Sequence, residues 1–200
     1  MRQAIVALLI LMSIVSALML SGCQEQVFPA IQAVSLTEQE NNLLTSVGVK
    51  RYFVFDIDRK QIEFDNIEFK VDYYVNGEFK ETITLFEVGG FSPSEQTTER
   101  LVWSQLSTNN EQEEVWNFVF AGGRTVQLVQ LDEEIKGLMW TYNQLIPTVK
   151  VGEEVLLAAI VGDNTGNGIR SPGIIFDQDE GGVVALKEYD LAYVLKVIFW

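Results

Sequence analysis

The sequence predicts an all-β fold: one antiparallel β-sandwich of about nine or ten short strands. Three observations predict it. From residue 51 onward Tyr, Phe, Val, Ile and Thr dominate, often alternating with polar residues. Gly and Asn pairs punctuate these runs at short intervals. No long helical pattern lies between the runs to carry a crossover between parallel strands. The chain has 200 residues, 48% of them hydrophobic, which supplies one real core and argues against disorder.

Residues 1–22 read as an address. Arg2 provides a positive start, residues 4–20 carry no charge, and Leu20-Ser21-Gly22-Cys23 ends the run. The apolar run is slightly short for a spanning helix, which needs ~20 apolar residues. An aliphatic residue, two small residues and Cys resemble the lipobox of a bacterial lipoprotein signal peptide. That resemblance implies cleavage before Cys23, a diacylglyceryl group on its sulfur and further acylation, such as palmitate. Gln24 stands where a two-membrane bacterium would use Asp as an inner-membrane retention signal. Residues 23–50 then read as the lipidated Cys and a tether, with Ser35 and Glu38 at capping-box spacing for a short helical turn.

Residues 51–200 read as the sandwich. Residues 52–57 are apolar on both faces and predict a central strand. In residues 67–85, Ile67, Phe69, Val71, Tyr73 and Val75 alternate with Glu68, Lys70, Asp72 and Tyr74, and Asn76-Gly77 marks a turn. Keeping the apolar residues on one face predicts a three-residue loop, Val75-Asn76-Gly77, with Gly77 in a left-handed bulge. Tyr73 then opposes Phe79, and Asp72 opposes Lys80 on a face left in water. Residues 101–106, 115–120, 125–131 and 137–142 predict further strands, with Gly122-Gly123 turning the chain between the second and third of these. Residues 155–161 and 191–200 are apolar on both faces, the latter broken only by Lys196, and predict central strands. Within residues 147–159, the phrase Val149-Lys150-Val151-Gly152-Glu153-Glu154-Val155 resembles the entry to the second strand of bacterial immunoglobulin-like domains. The resemblance implies an immunoglobulin-like sandwich, although no pair of Cys is present to bridge its sheets.

The composition removes several chemistries. With no His there is no imidazole base, no Ser-His-Asp system and no His metal ligand. One Cys excludes an intrachain disulfide and a thiolate metal cluster. A net charge of −14, or −15 once the leader with its single Arg is removed, argues against nucleic acid as a partner. Such a domain is repelled by an anionic bilayer, so membrane attachment falls to the lipid on Cys23.

Three constellations are candidates for a site. Asp163, Thr165 and Asn167 alternate oxygen-bearing side chains, as in the first half of a calcium loop. Ile174 stands at the twelfth position, where an EF-hand has Glu, so any calcium site here would draw on Asp177, Asp179 or Glu180. The competing reading is a plain loop, in which Asn and Gly supply left-handed backbone. Trp103, Trp116 and Trp140 offer a sugar-stacking platform, but all three sit in apolar strand patterns that favour the core. Glu113-Glu114, Glu133-Glu134 and Glu153-Glu154 are adjacent carboxylates, which in a strand point to opposite faces and form no dyad by themselves. The expectation is a non-catalytic interaction module, lipid-anchored on the extracytoplasmic face of the cell membrane, with an envelope protein or cell-wall partner. The alternatives are a calcium- or glycan-binding module using the 163–180 loops or an exposed Trp, and a carboxylate-dependent hydrolase.

Overall fold

The computed structural model describes residues 29–90, 98–108, 110, 112–131, 137–146, 148–163, 186–187 and 189–200. Two antiparallel sheets face each other across an apolar layer, and eleven strands are present among the described residues. They are β1 (Ile31–Ala33), β2 (Val49–Asp58), β3 (Asn66–Val75), β4 (Glu78–Gly89), β5 (Thr98–Ser107) and β6 (Glu113–Phe120). β7 (Gly123–Gln130), β8 (Gly137–Tyr142), β9 (Leu145–Ile146), β10 (Val155–Asp163) and β11 (Leu191–Phe199) complete the set, with one helix, α1 (Glu38–Ser46). The first sheet runs β7-β6-β5-β2-β1-β9 and the second β4-β3-β11-β10-β8. The expected all-β sandwich is the observed architecture.

The period-two pattern builds the core. Phe53, Phe55 and Ile57 of β2, Leu101 and Trp103 of β5, and Trp116, Phe118 and Phe120 of β6 all point between the sheets. They meet Ile67, Phe69 and Val71 of β3 and Leu195, Val197 and Phe199 of β11. Rings interlock there: Trp103 stacks on Phe53 at 5.0 Å and on Phe118 at 5.5 Å, and meets Trp116 edge-on at 5.3 Å. The second sheet also buries its outer face. Tyr74, Ala159, Val161, Ala192 and Val194 form a further apolar cluster with Leu186 and Tyr189. This double burial is why β10 and β11 read as apolar on both faces.

The stretch read as a tether carries β1 and α1, and Ala30 and Ile31 are core residues. The helix cap lies two residues beyond the expected one. Thr37 Oγ1 accepts from the Glu40 main-chain N–H at 3.3 Å, and Glu40 Oε2 accepts from the Thr37 N–H at 2.8 Å. The main-chain and hydroxyl hydrogen bonds of Thr37 hold the Glu40 carboxyl below its ordinary range.

The β3–β4 hairpin corrects the predicted register. Val75 pairs with Glu78, so the loop is the two residues Asn76 and Gly77, with φ of 51° and 75°. Two left-handed residues in succession match a tight hairpin turn whose twist follows the strands. The apolar face is recovered by another device. Register shifts at Val71/Asp72 and Tyr73/Tyr74 insert Ile83 and Lys80 as extra residues in β4. Phe69 therefore opposes Phe86 and Ile67 opposes Val88. Asp72 faces Thr82 rather than Lys80, and it is buried, because the outer face of this sheet is covered rather than wet. The β6–β7 turn also sits one residue earlier than predicted, on Ala121 and Gly122.

At Gly77 the backbone demands glycine twice. Its φ is left-handed, and an added Cβ would lie 2.8 Å from Lys187 Cα. Gly77→Ala is expected to lose at least about 1–2 kcal/mol from the dihedral alone, with more from displacing the Lys187 main chain. A denaturant midpoint within error of wild type would show that the hairpin tip relaxes freely.

Candidate functional site: an aromatic slot at the side of the sandwich

The two sides of the sandwich close differently. Where β7 meets β4, Gln127 Nε2 donates to the Ile83 carbonyl at 2.5 Å. On the other side the chain itself changes sheet. After β8, Asn143 N–H still bonds Leu157 O at 2.8 Å, and Gln144 O then accepts from Ala33 N–H at 3.0 Å. β9 continues in the first sheet against β1.

β1 is too short to cover β2. Ala33 opposes Phe55, Val34 N–H reaches Val54 O at 2.8 Å, and the chain then turns away into α1. Lys50, Arg51 and Tyr52 have no β1 residue beside them. Across this gap stands the edge strand β8. Trp140 and Tyr142 pair with Ile160 and Ala158, which are core residues, so both rings are on the inner face. They are nevertheless 50% and 41% exposed, because the opposing sheet withdraws here. The result is a slot of about 360 Å³, within the usual range for small-ligand sites. Trp140, Tyr142 and Phe53 form its aromatic wall, and Ser35, Asn41, Lys50, Arg51 and Tyr52 supply polar groups. The Tyr142 ring meets Phe53 edge-on at 6.4 Å, and the Tyr52 hydroxyl is hydrogen-bonded to Asn41 Oδ1.

Behind the slot lies a buried charge cluster that bridges three strands. Arg51 on β2 pairs with Glu114 on β6, and its Nε donates to Gln105 Oε1 on the intervening β5 at 2.8 Å. Trp116 Nε1 donates to the other Glu114 oxygen at 3.2 Å, and Lys50 Nζ lies 3.8 Å from the carboxylate. Arg51, Gln105 and Glu114 are all buried. Gln105 Nε2 and Trp103 Nε1 are buried donors with no hydrogen-bond partner among the described residues.

A second cluster sits on the outer face of the other sheet. Lys196 Nζ lies 2.8 Å from Asp72, 3.2 Å from Glu154 and 3.0 Å from the Tyr74 hydroxyl, and Thr82 donates to Asp72 at 2.7 Å. Burial alone pulls the Lys196 ammonium down, but its hydrogen bonds to Asp72 and Tyr74 outweigh that and raise it above the lysine range. Burial pushes the Glu154 carboxyl up, yet the hydrogen bond from Lys70 and the Lys196 charge leave it below its ordinary value.

The residues singled out in the sequence fall in several places. Trp103 and Trp116 are core, as favoured, whereas Trp140 is half-exposed and lines the slot. Glu113 and Glu114 point to opposite faces, and Glu114 is held by Arg51. Asp163 ends β10 opposite Gly137. Thr165, Asn167, Asp177, Asp179 and Glu180 lie outside the described residues, as do Cys23 and Glu133-Glu134. Among the described residues no three carboxylates group as a metal site. The slot itself was missed, because an apolar alternation cannot distinguish a core strand from an edge strand that overhangs its opposite sheet.

Fold and slot together define a class: an antiparallel β-sandwich with a small-ligand-sized opening between its sheets. Within that class, the chain belongs to the YgaN domain family, whose model matches residues 30–199. No curated protein and no solved structure matches the chain.

Proposed function

We propose that this protein is a lipid-anchored, non-catalytic binding module of the cell envelope, and that the slot beside β2 is its recognition site. The observation that carries this reading is the half-exposed pair Trp140 and Tyr142, held on a rigid strand opposite Phe53. Exposed aromatic area on a fixed scaffold binds with little loss of side-chain freedom. Among the described residues the slot lining holds no carboxylate, His or Cys, and its polar groups are those that bind a ligand by hydrogen bonds and charge. The signal-like leader and Cys23 support the anchor, which brings the slot to the extracytoplasmic face. A cell-wall partner fits the slot better than a broad protein interface, because the opening has the size of a small ring system.

The test is cosedimentation of the purified protein with isolated cell-wall polymer. Wild type is expected to pellet, and Trp140→Ala to lose about tenfold or more in affinity. Stability should fall by only about 1–3 kcal/mol, the worth of the half of the ring that is out of water, so the variant remains folded for the binding assay. Equal pelleting of both proteins, or of neither, would remove the slot from the function. The anchor is checked separately: Cys23→Ser is expected to move the protein from the detergent phase to the aqueous phase.

A further inference from the structure

The sign of the charge around the slot runs against the rest of the molecule. The chain carries 28 acidic and 14 basic residues, yet the slot lining holds two cations, Lys50 and Arg51, and no carboxylate. Glu114, just behind, answers to both: it pairs with Arg51 and lies 3.8 Å from Lys50. One carboxylate against two cations leaves the cluster with one positive charge. That charge belongs at the slot, because Lys50 is 44% exposed while Arg51 and Glu114 are buried.

We infer that the slot takes an anionic saccharide, a sugar bearing a carboxylate, with its ring against Trp140 and its acid group toward Lys50. This deepens the proposed binding function and rests on it. The aromatic wall suits a sugar because the apolar C–H face of the ring packs on indole, while its hydroxyls need partners. Ser35 and Asn41 supply such partners in the same lining. A single residual cation matches a single negative charge. The acidic remainder of the surface repels the ligand elsewhere, so the field directs it to this one opening.

Two tetrasaccharides test the inference by tryptophan fluorescence titration. One is a neutral N-acetylglucosamine oligomer, and the other is the same backbone carrying carboxylated ether groups on alternate sugars. Wild type is expected to bind the carboxylated oligomer about tenfold more tightly at low salt, the worth of one partly exposed charge-assisted contact. The preference should shrink in concentrated salt and vanish in Lys50→Gln. Lys50 is exposed enough for that variant to fold, and the salt series on wild type gives the same answer without it. Equal affinity for both oligomers would overturn the anionic preference and leave the binding module intact. Failure of wild type to bind either oligomer would overturn the saccharide altogether, and cosedimentation with cell-wall polymer would then decide whether any binding module remains.

Discussion

Replacing Glu114 with alanine is expected to unfold the protein at a temperature roughly 10 °C or more below wild type. Arg51 is buried, and its charge has one buried carboxylate to answer it. Removing one partner of a buried pair costs about 3–5 kcal/mol, because the other charge is left without compensation. The same change takes the acceptor from Trp116 Nε1. A domain of this size has about 5–15 kcal/mol in total and loses ~2–4 °C per kcal/mol. Glu114→Gln keeps acceptor oxygen but not charge, so it should cost less than alanine. The double variant Arg51→Leu/Glu114→Leu should recover most of the loss, since a buried pair is worth little against well-packed apolar groups. A calorimetric melt of the four proteins checks this. A loss below about 1 kcal/mol for Glu114→Ala would mean that water reaches Arg51 through the slot.

The second large effect is expected at Lys196. Lys196→Met leaves Asp72 with the Thr82 hydroxyl but no cation, in a site that is almost fully buried. The expected cost is again about 3–5 kcal/mol, with partial recovery in Lys196→Met/Asp72→Leu. The pH dependence separates this from a packing defect. The Lys196 ammonium is raised in the fold, so its contribution is complete below the unfolded lysine value, ~10.4. It is lost as pH rises through the folded value. Glu154 is shifted down, so its share is present above the unfolded carboxylate value, ~4.3, and disappears as pH falls through the folded one. The stability gap between wild type and Lys196→Met should therefore be level across neutral pH and narrow at both extremes. A gap that stays constant into strong alkali would assign the loss to shape alone.

Lys196 also shows how far this sequence can be read. The strand around it was legible from its apolar run, and so was its central place. Its partner Asp72 was legible only as a polar residue in an alternating strand 124 positions earlier. Nothing local indicates that a second apolar layer covers that face. Likewise Asn76-Gly77 announced a turn, but the pattern of apolar residues could not reveal that β4 would insert Lys80 and Ile83 to restore alignment. Trp140 carried the fullest ambiguity. Its neighbours Leu138 and Tyr142 repeat at strand spacing, and the exposure that makes it a candidate site residue follows from strand order. Arg51, Gln105 and Glu114 lie on three strands and meet only once the sheet is assembled.

The extra residues in β4 have a consequence for how copies of this protein meet at high concentration. β4 is a twelve-residue edge strand, long enough to template pairing with a neighbour's chain. A flat edge of that length invites fibril growth. Each insertion bends and twists the strand, so the row of main-chain donors and acceptors is broken at Lys80 and Ile83 and regular only over residues 84–89. At the far edge of the other sheet, β9 is only two residues long and offers almost nothing to extend. The irregularities that defeat register prediction thus also shorten the straight edge open to a neighbouring strand.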